Sequence, residues 1–316
     1  MTPTLARQHM PHADSAPRVD LYARARDWSE IQERMLVPLY EAVYERLEVG
    51  PATRLLGLRC GAGLALLLAA GRGATVTGVD AASPERLALA RRRLLPDTSR
   101  AADGDAFGAP GVRGGTGRTR YGDGTGHGVS GRTRARAVTL VAGPPRDLAG
   151  TDSAAYTLVT VFEPIGCLAG DSEGLGELLA DALPLAVRGA AVVLAGWGPP
   201  ERCATSSVLR VATKLADPLR SARSWRPARR DDLEEVAQRA GLKPDGSGRV
   251  ACPFGYADLD SAVRGLLSTG LFDAATAATD AKQVDKELTE ALHPYRRPDG
   301  TVWMPNVFRY LVARVP

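Results

Sequence analysis

The sequence predicts an α/β fold built on a mostly parallel sheet with helices on both faces, and three observations carry that reading. From residue 54 onward, short apolar runs of strand length alternate with amphipathic segments of helix length. The first run, Arg54-Leu-Leu-Gly-Leu58, leads into a glycine turn, Gly61-Ala62-Gly63, and a Leu/Ala-rich segment from Leu64 to Ala70. The second run, Ala74 to Val79, ends at Asp80 and is followed by Ser83-Pro84-Glu85, an N-cap with proline at the first helical position. A β-α-β-α order calls for a parallel sheet, because strands joined through a helix run the same way and need both faces covered.

Before the first strand, Ile31, Leu36, Leu39, Val43 and Leu47 recur at helical spacing, which predicts a helix over 27–47 that Gly50-Pro51 stops. Beyond the second helix, strands are predicted at 137–141, 156–161 and 189–195, with a helix over 175–187 before the last of them. A helix over 231–240, a strand near 249–253, helices at 259–267 and 281–292, and a final strand over 307–315 complete the pattern. Residues 1–20, punctuated by Pro3, Pro11 and Pro17, read as a flexible tail, and 21–316 as one domain. A low-complexity insertion interrupts it at about 98–136. Between Gly108 and Arg136 it holds ten glycines and six arginines against one acid, Asp123, and no core-forming pattern.

The 316 residues are 44% hydrophobic and 24% charged with a net charge of +4, the balance of an ordinary globular protein. That small surplus does not by itself imply a nucleic-acid partner; the Gly/Arg insertion could contact phosphates, but with Tyr121 its single aromatic a solvated low-complexity loop is the preferred reading and a nucleic-acid partner is not expected. The Arg, Ala and Gly richness suggests a GC-rich bacterial genome. Cys60, Cys167, Cys203 and Cys252 form no C-x-x-C pair, so neither a metal site nor a disulfide framework is signalled, and buried thiols are expected. With no signal-peptide h-region and no membrane-length apolar run, a cytoplasmic protein is expected.

The chemistry concentrates at the glycine turn. Ligands of open α/β sheets bind outside the carboxyl ends of the strands, where a side-chain-poor turn lets backbone approach them. Gly61 and Gly63 meet that need, and Asp80, at the tip of the next strand, is placed to accept hydrogen bonds from ribose hydroxyls. A dinucleotide fingerprint needs a third glycine three residues after Gly63, where this chain has Leu66.

Leu55-Leu-Gly-Leu-Arg-Cys-Gly-Ala-Gly63 and Val76-Thr-Gly-Val-Asp80 resemble the first- and second-strand motifs of the class I S-adenosylmethionine-dependent methyltransferases. The likeness is to the ubiquinone/menaquinone-biosynthesis-like small-molecule branch in particular. It extends to Val192-Val-Leu-Ala-Gly-Trp-Gly-Pro-Pro-Glu201 and Pro294-Tyr-Arg-Arg-Pro-Asp-Gly300. The resemblance implies a Rossmann-like, mostly parallel seven-stranded sheet with an extra N-terminal helix and extra helices before the last strand. It also implies S-adenosylmethionine as cofactor, a small-molecule substrate, and cofactor contacts from Gly57, Arg59, Gly61, Gly63, Asp80, Gly143 and Glu163. Glu163 or His293 would deprotonate the acceptor. Trp197, Trp225, Tyr256 and Trp303 are candidates for an aromatic substrate pocket, with core packing as the alternative.

The chain departs from the family pattern at four places. Gly57 replaces the acid that organises the methionine end, and Arg59 replaces the first glycine of the turn. Gly143-Pro144 stands for Gly-Asp, and Tyr156-Thr157 for Phe-Asp. Two functions follow as alternatives: methyl transfer to a small molecule, or a catalytically inactive protein of this fold with a binding or regulatory role. A homodimer or a protein partner is compatible with either.

Overall fold

The computed structural model describes residues 20–95, 138–149, 155–167, 171–216 and 232–316; the tail, the Gly/Arg insertion and Trp225 lie outside the described residues. A seven-stranded sheet organises them in the order β3-β2-β1-β4-β5-β9-β6. The strands are β1 (Arg54–Leu58), β2 (Thr75–Val79), β3 (Val138–Val141), β4 (Tyr156–Ile165), β5 (Ala186–Trp197), β6 (Lys243–Ala251) and β9 (Val307–Arg314). All pairings from β3 to β5 are parallel, and β9 alone is reversed, running antiparallel between β5 and β6. A small hairpin-like sheet, β7 (Phe254–Tyr256) with β8 (Val302–Met304), packs beside it.

Helices cover both faces. They are α1 (Leu21–Asp27), α2 (Val37–Arg46), α3 (Leu64–Gly71), α4 (Pro84–Leu94), α5 (Leu175–Ala182), α6 (Thr205–Ala216), α7 (Asp232–Arg239), α8 (Leu259–Ser268), α9 (Asp273–Ala278) and α10 (Ala281–Leu292). The larger apolar core joins α2, α3, α6 and α8–α10 to one face of the sheet, through residues such as Leu39, Leu66, Val208, Leu266 and Leu288. A smaller core beneath α5 and α7 seals the other face. The predicted alternation is therefore realised. The topology is that of a doubly wound sheet whose order reverses at β1/β4, the position at which such sheets bind ligands.

The differences from the sequence reading are local. The first helix starts earlier than predicted and is broken, with a π-helical turn at Trp28–Gln32 and a 3₁₀ turn at Glu33–Leu36 separating α1 from α2. It ends at Arg46, one residue before the predicted Leu47, and Glu48 just beyond lies in the left-handed region (φ 50°), where the Val49 N–H donates to the Tyr44 carbonyl. The helix predicted over 175–187 stops at Ala182, where Pro184 follows, and its last residues belong to a longer β5. Helices α6 and α9 and strand β8 escaped the sequence reading.

Candidate functional site

The glycine turn and Asp80 meet as the sequence predicts. The Asp80 carboxylate is buried, and its Oδ2 accepts the Gly61 N–H at 3.0 Å. Its Oδ1 accepts Ala82 N–H (3.0 Å) and Ser83 N–H (3.2 Å). Burial raises the Asp80 pKa above the ordinary aspartate value, the three backbone donors pull it back down, and the Glu163 charge raises it slightly. A carboxylate has about four lone-pair sites, so three donors leave Asp80 with acceptor capacity toward the cleft.

That cleft opens at the tips of β1, β2 and β4 and has a cavity volume of about 70 Å³. Gly57, Arg59, Gly61, Asp80 and Glu163 line it together, with Trp28, Glu33, Tyr40, Arg86 and Phe162. A second chamber of about 200 Å³ adjoins it and shares Trp28, Leu36, Arg59 and Glu163 as a common wall. Trp197, Phe254 and Phe308 form the second chamber's aromatic side, with ring centroids 4.6–6.1 Å apart.

Three of the proposed residues are placed elsewhere. Gly63 (φ 79°) does not line the cleft: a Cβ there would come within 2.9 Å of the Ala90 Cβ, so this glycine serves the close approach of α3 and α4. Gly143 also lies outside it, beside Asp147, whose carboxylate stands 2.4 Å from where a Cβ would be. His293 is exposed in the 3₁₀ turn after α10 and lines neither chamber. The Thr157 departure belongs to the far end of the sheet, where its hydroxyl accepts the Arg54 N–H at 3.0 Å, so it says nothing about ligand binding. Among the aromatics, Trp197 does line the second chamber and Tyr256 donates to Gln32 beneath it, whereas Trp303 is exposed under Arg297.

The departure at Gly57 has a packing cause. Gly57 and Gly78 are register partners on β1 and β2, and the branched end of Leu66 fills the notch they leave. A Cβ on Gly57 would lie 2.8 Å from Leu66 Cδ2, and one on Gly78 2.5 Å from Leu66 Cδ1. The leucine standing where a dinucleotide fingerprint has glycine thus also excludes an acid at position 57.

Residues that sequence reasoning missed come from the broken N-terminal helix. The π turn brings Ser29, Gln32 and Glu33 to the inside, where all three are buried. The Glu33 carboxylate accepts the Leu64 N–H at the start of α3 (3.1 Å) and pairs with Arg93 at 2.6 Å; Arg93 also donates to Ala62 O and to Ser29 Oγ. Burial raises the Glu33 pKa, and the Arg93 bond and charge oppose it. Trp28 lays its indole over the turn, under the Arg86 guanidinium (4.2 Å to the ring centroid). Its Nε1–H is buried without a hydrogen-bond partner, 3.3 Å from where a Gly61 Cβ would stand. Polar residues on the buried stripe that carries Leu36 and Leu39 were the available signal.

Arg59 is the other unusual residue. It adopts a left-handed backbone conformation (φ 48°), which costs a non-glycine residue about 1 kcal/mol. From the β1 tip its guanidinium spans to Glu163 Oε2 (3.0 Å) and to the Glu173 carbonyl (2.8 Å). Glu163 is not a helix-terminal acid. It sits where β4 shifts register against β5, between Val161 and Ile165, and the irregularity turns it to the cleft mouth.

The four cysteines are free, three of them buried and Cys60 half-buried. Among the described residues no cluster of metal-ligating side chains occurs, and no helix is long and apolar enough to cross a membrane.

No protein-family model matches the chain, and no curated protein resembles it in sequence. Its structure is similar to a candidate type II methyltransferase from Anaeromyxobacter dehalogenans, with TM-score 0.50 and 18% identity over 87% of this chain and 96% of that one. It is similar at TM-score 0.45 and 17% identity to a methyltransferase from Geobacter sulfurreducens solved with S-adenosyl-L-homocysteine, over 93% of this chain and 98% of that one. The likeness to the Anaeromyxobacter structure, together with the strand order, establishes the Rossmann-like fold of the class I methyltransferases.

Proposed function

We propose that the protein transfers a methyl group from S-adenosylmethionine to a small, largely apolar molecule. The observation that carries this reading is the pair of chambers with one shared wall, a polar one at Asp80 and Gly61 and an aromatic one at Trp197 and Phe308. The two adjoining volumes, polar on one side and aromatic on the other, suit a donor and an acceptor meeting at the wall. The residues at the strand tips fit the cofactor's adenosine half. Asp80 retains acceptor capacity for ribose hydroxyls, and the orphaned Trp28 Nε1–H offers a donor that a bound acceptor would satisfy. The structural neighbour described as a methyltransferase supports the same assignment.

S-adenosylmethionine, when bound, supplies a methyl group already activated on a sulfonium. The protein's share is alignment, exclusion of water and acceptance of a proton. The aromatic side of the second chamber holds a flat or apolar acceptor against Trp197 and Phe308. Glu163, the only carboxylate lining both chambers among the described residues, takes the proton from its hydroxyl or amine.

Calorimetric titration with S-adenosylmethionine and S-adenosylhomocysteine tests the assignment. Saturable heat is expected, and Asp80→Asn should weaken it about tenfold, the equivalent of one hydrogen bond to a charged acceptor at about 1.5 kcal/mol. A second reading, an inactive protein of this fold, is favoured by Glu33 at the α3 N-terminus and by Arg59 lying across the mouth. Absence of heat at millimolar ligand would decide for it.

A further inference from the structure

We infer that Arg59 is the anchor for a ligand carboxylate in the cleft, in place of the helix N-terminus that usually receives an anion in this fold. The inference rests on the proposed cofactor and deepens it. An anionic group entering an open α/β crevice ordinarily finds the free N–H groups and positive dipole end of the first helix. Here that place is already taken. Glu33 accepts the Leu64 N–H, is 3% exposed, and is tied down by Arg93, so a second carboxylate there would face a like charge it could not displace cheaply.

Three N–H donor side chains remain at the same cleft, one of them Arg86, which lies over the Trp28 ring and already donates to the Ser268 carbonyl at 2.8 Å. The Trp28 Nε1–H has no partner. The Arg59 guanidinium has one carboxylate partner, Glu163, in a pair open to solvent, with side chains 25% and 44% exposed. Exposed pairs of this kind are weak, so a ligand carboxylate can replace Glu163 at modest cost. Arg59 keeps the left-handed backbone of the turn in which Gly61 and Gly63 also have positive φ, and from there its side chain lines the cleft. Exchange of partners would also free Glu163 toward the aromatic chamber, coupling occupancy of one chamber to availability of the base in the other.

The test compares two ligands that share an adenosine and a thioether: S-adenosylhomocysteine, which carries an amino-acid carboxylate, and 5′-methylthioadenosine, which does not. Both are titrated calorimetrically into the full chain and into Arg59→Gln and Arg59→Lys. Arg59→Gln should weaken S-adenosylhomocysteine at least tenfold and leave methylthioadenosine within about twofold, which also certifies that the variant is folded; Arg59→Lys should recover part of the loss. Equal effects on both ligands, or none on either, overturn the anchor. Wild-type binding of methylthioadenosine without S-adenosylhomocysteine overturns it too, while leaving the adenosine site standing. Wild-type binding of neither removes the proposed cofactor and this inference with it.

Discussion

At the β2 end of the cleft, Asp80 is held by Gly61, Ala82 and Ser83, all close to it in the chain or in the adjoining turn. At the β1 end, the same cleft is assembled from a helix far upstream, with Glu33 reaching Leu64, Arg93 reaching Glu33, and Leu66 filling the Gly57–Gly78 notch. One end follows from local rules of strand, turn and cap. The other is a set of tertiary contacts between residues far apart in the chain. The comparison teaches that a missing motif residue need not leave a vacancy, since the Leu66 side chain fills the space beside Gly57.

If the β1 end is structural and the β2 end ligand-directed, stability and affinity should separate between them. The largest effect is expected from Glu33→Ala. It strands the Arg93 guanidinium and leaves the Leu64 N–H without an acceptor, and breaking a buried ion pair from one side costs about 3 kcal/mol. Urea unfolding should register a lower midpoint with an unchanged slope. An unchanged midpoint would mean that Glu33 does not hold the turn, and the contrast between the two ends would dissolve.

How much of this was legible in the sequence follows the same division. Gly61 and Asp80 were readable because a turn and a strand tip are fixed by residues within one β-α-β unit. Gly63 was readable as a required glycine but not in its role, since only the packing of Ala90 shows that it faces a helix rather than a ligand. Glu33 and Trp28 were hidden by a π turn that no spacing rule announces, and the buried polar stripe they form looked like the flank of an apolar one. Thr157 misled in the opposite direction. It departs from a motif, yet it lies at the end of the sheet away from the cleft. The aromatic chamber was half visible, through Trp197, because Phe254 and Phe308 come from strands that only the antiparallel insertion of β9 brings alongside.

The notch offers a smaller and sharper break. Gly57→Ala puts a methyl group 2.8 Å from Leu66 Cδ2, an overpacking worth about 2 kcal/mol. Leu66→Ala alone opens a void and also destabilises. Combined, the two should cost less than the sum of their separate effects by about 1 kcal/mol, the mark of residues sharing one space. Additive costs in the double variant would show that Gly57 is glycine for a reason other than Leu66.

The smallest expected effect probes the β2 end through pH. Burial raises the Asp80 pKa, so protonation begins at a higher pH than for an exposed aspartate. Ribose hydroxyls donate to the ionised form, and affinity for methylthioadenosine should therefore fall as pH drops through that raised value, by no more than about tenfold per pH unit. For folding the sign is opposite: the protonated form is favoured in the folded chain, so this group's contribution is full below its unfolded pKa and lost as pH rises through the folded one. Cys60 does not interfere, because burial pushes its thiol well upward and keeps it neutral throughout. The Glu33 pKa is also raised by burial, so the decisive comparison is with Glu33→Gln. If that variant keeps the pH dependence, Asp80→Asn should remove it. If it loses it, the pH response comes from the β1 end, and the assignment of ligand binding to the β2 carboxylate is wrong.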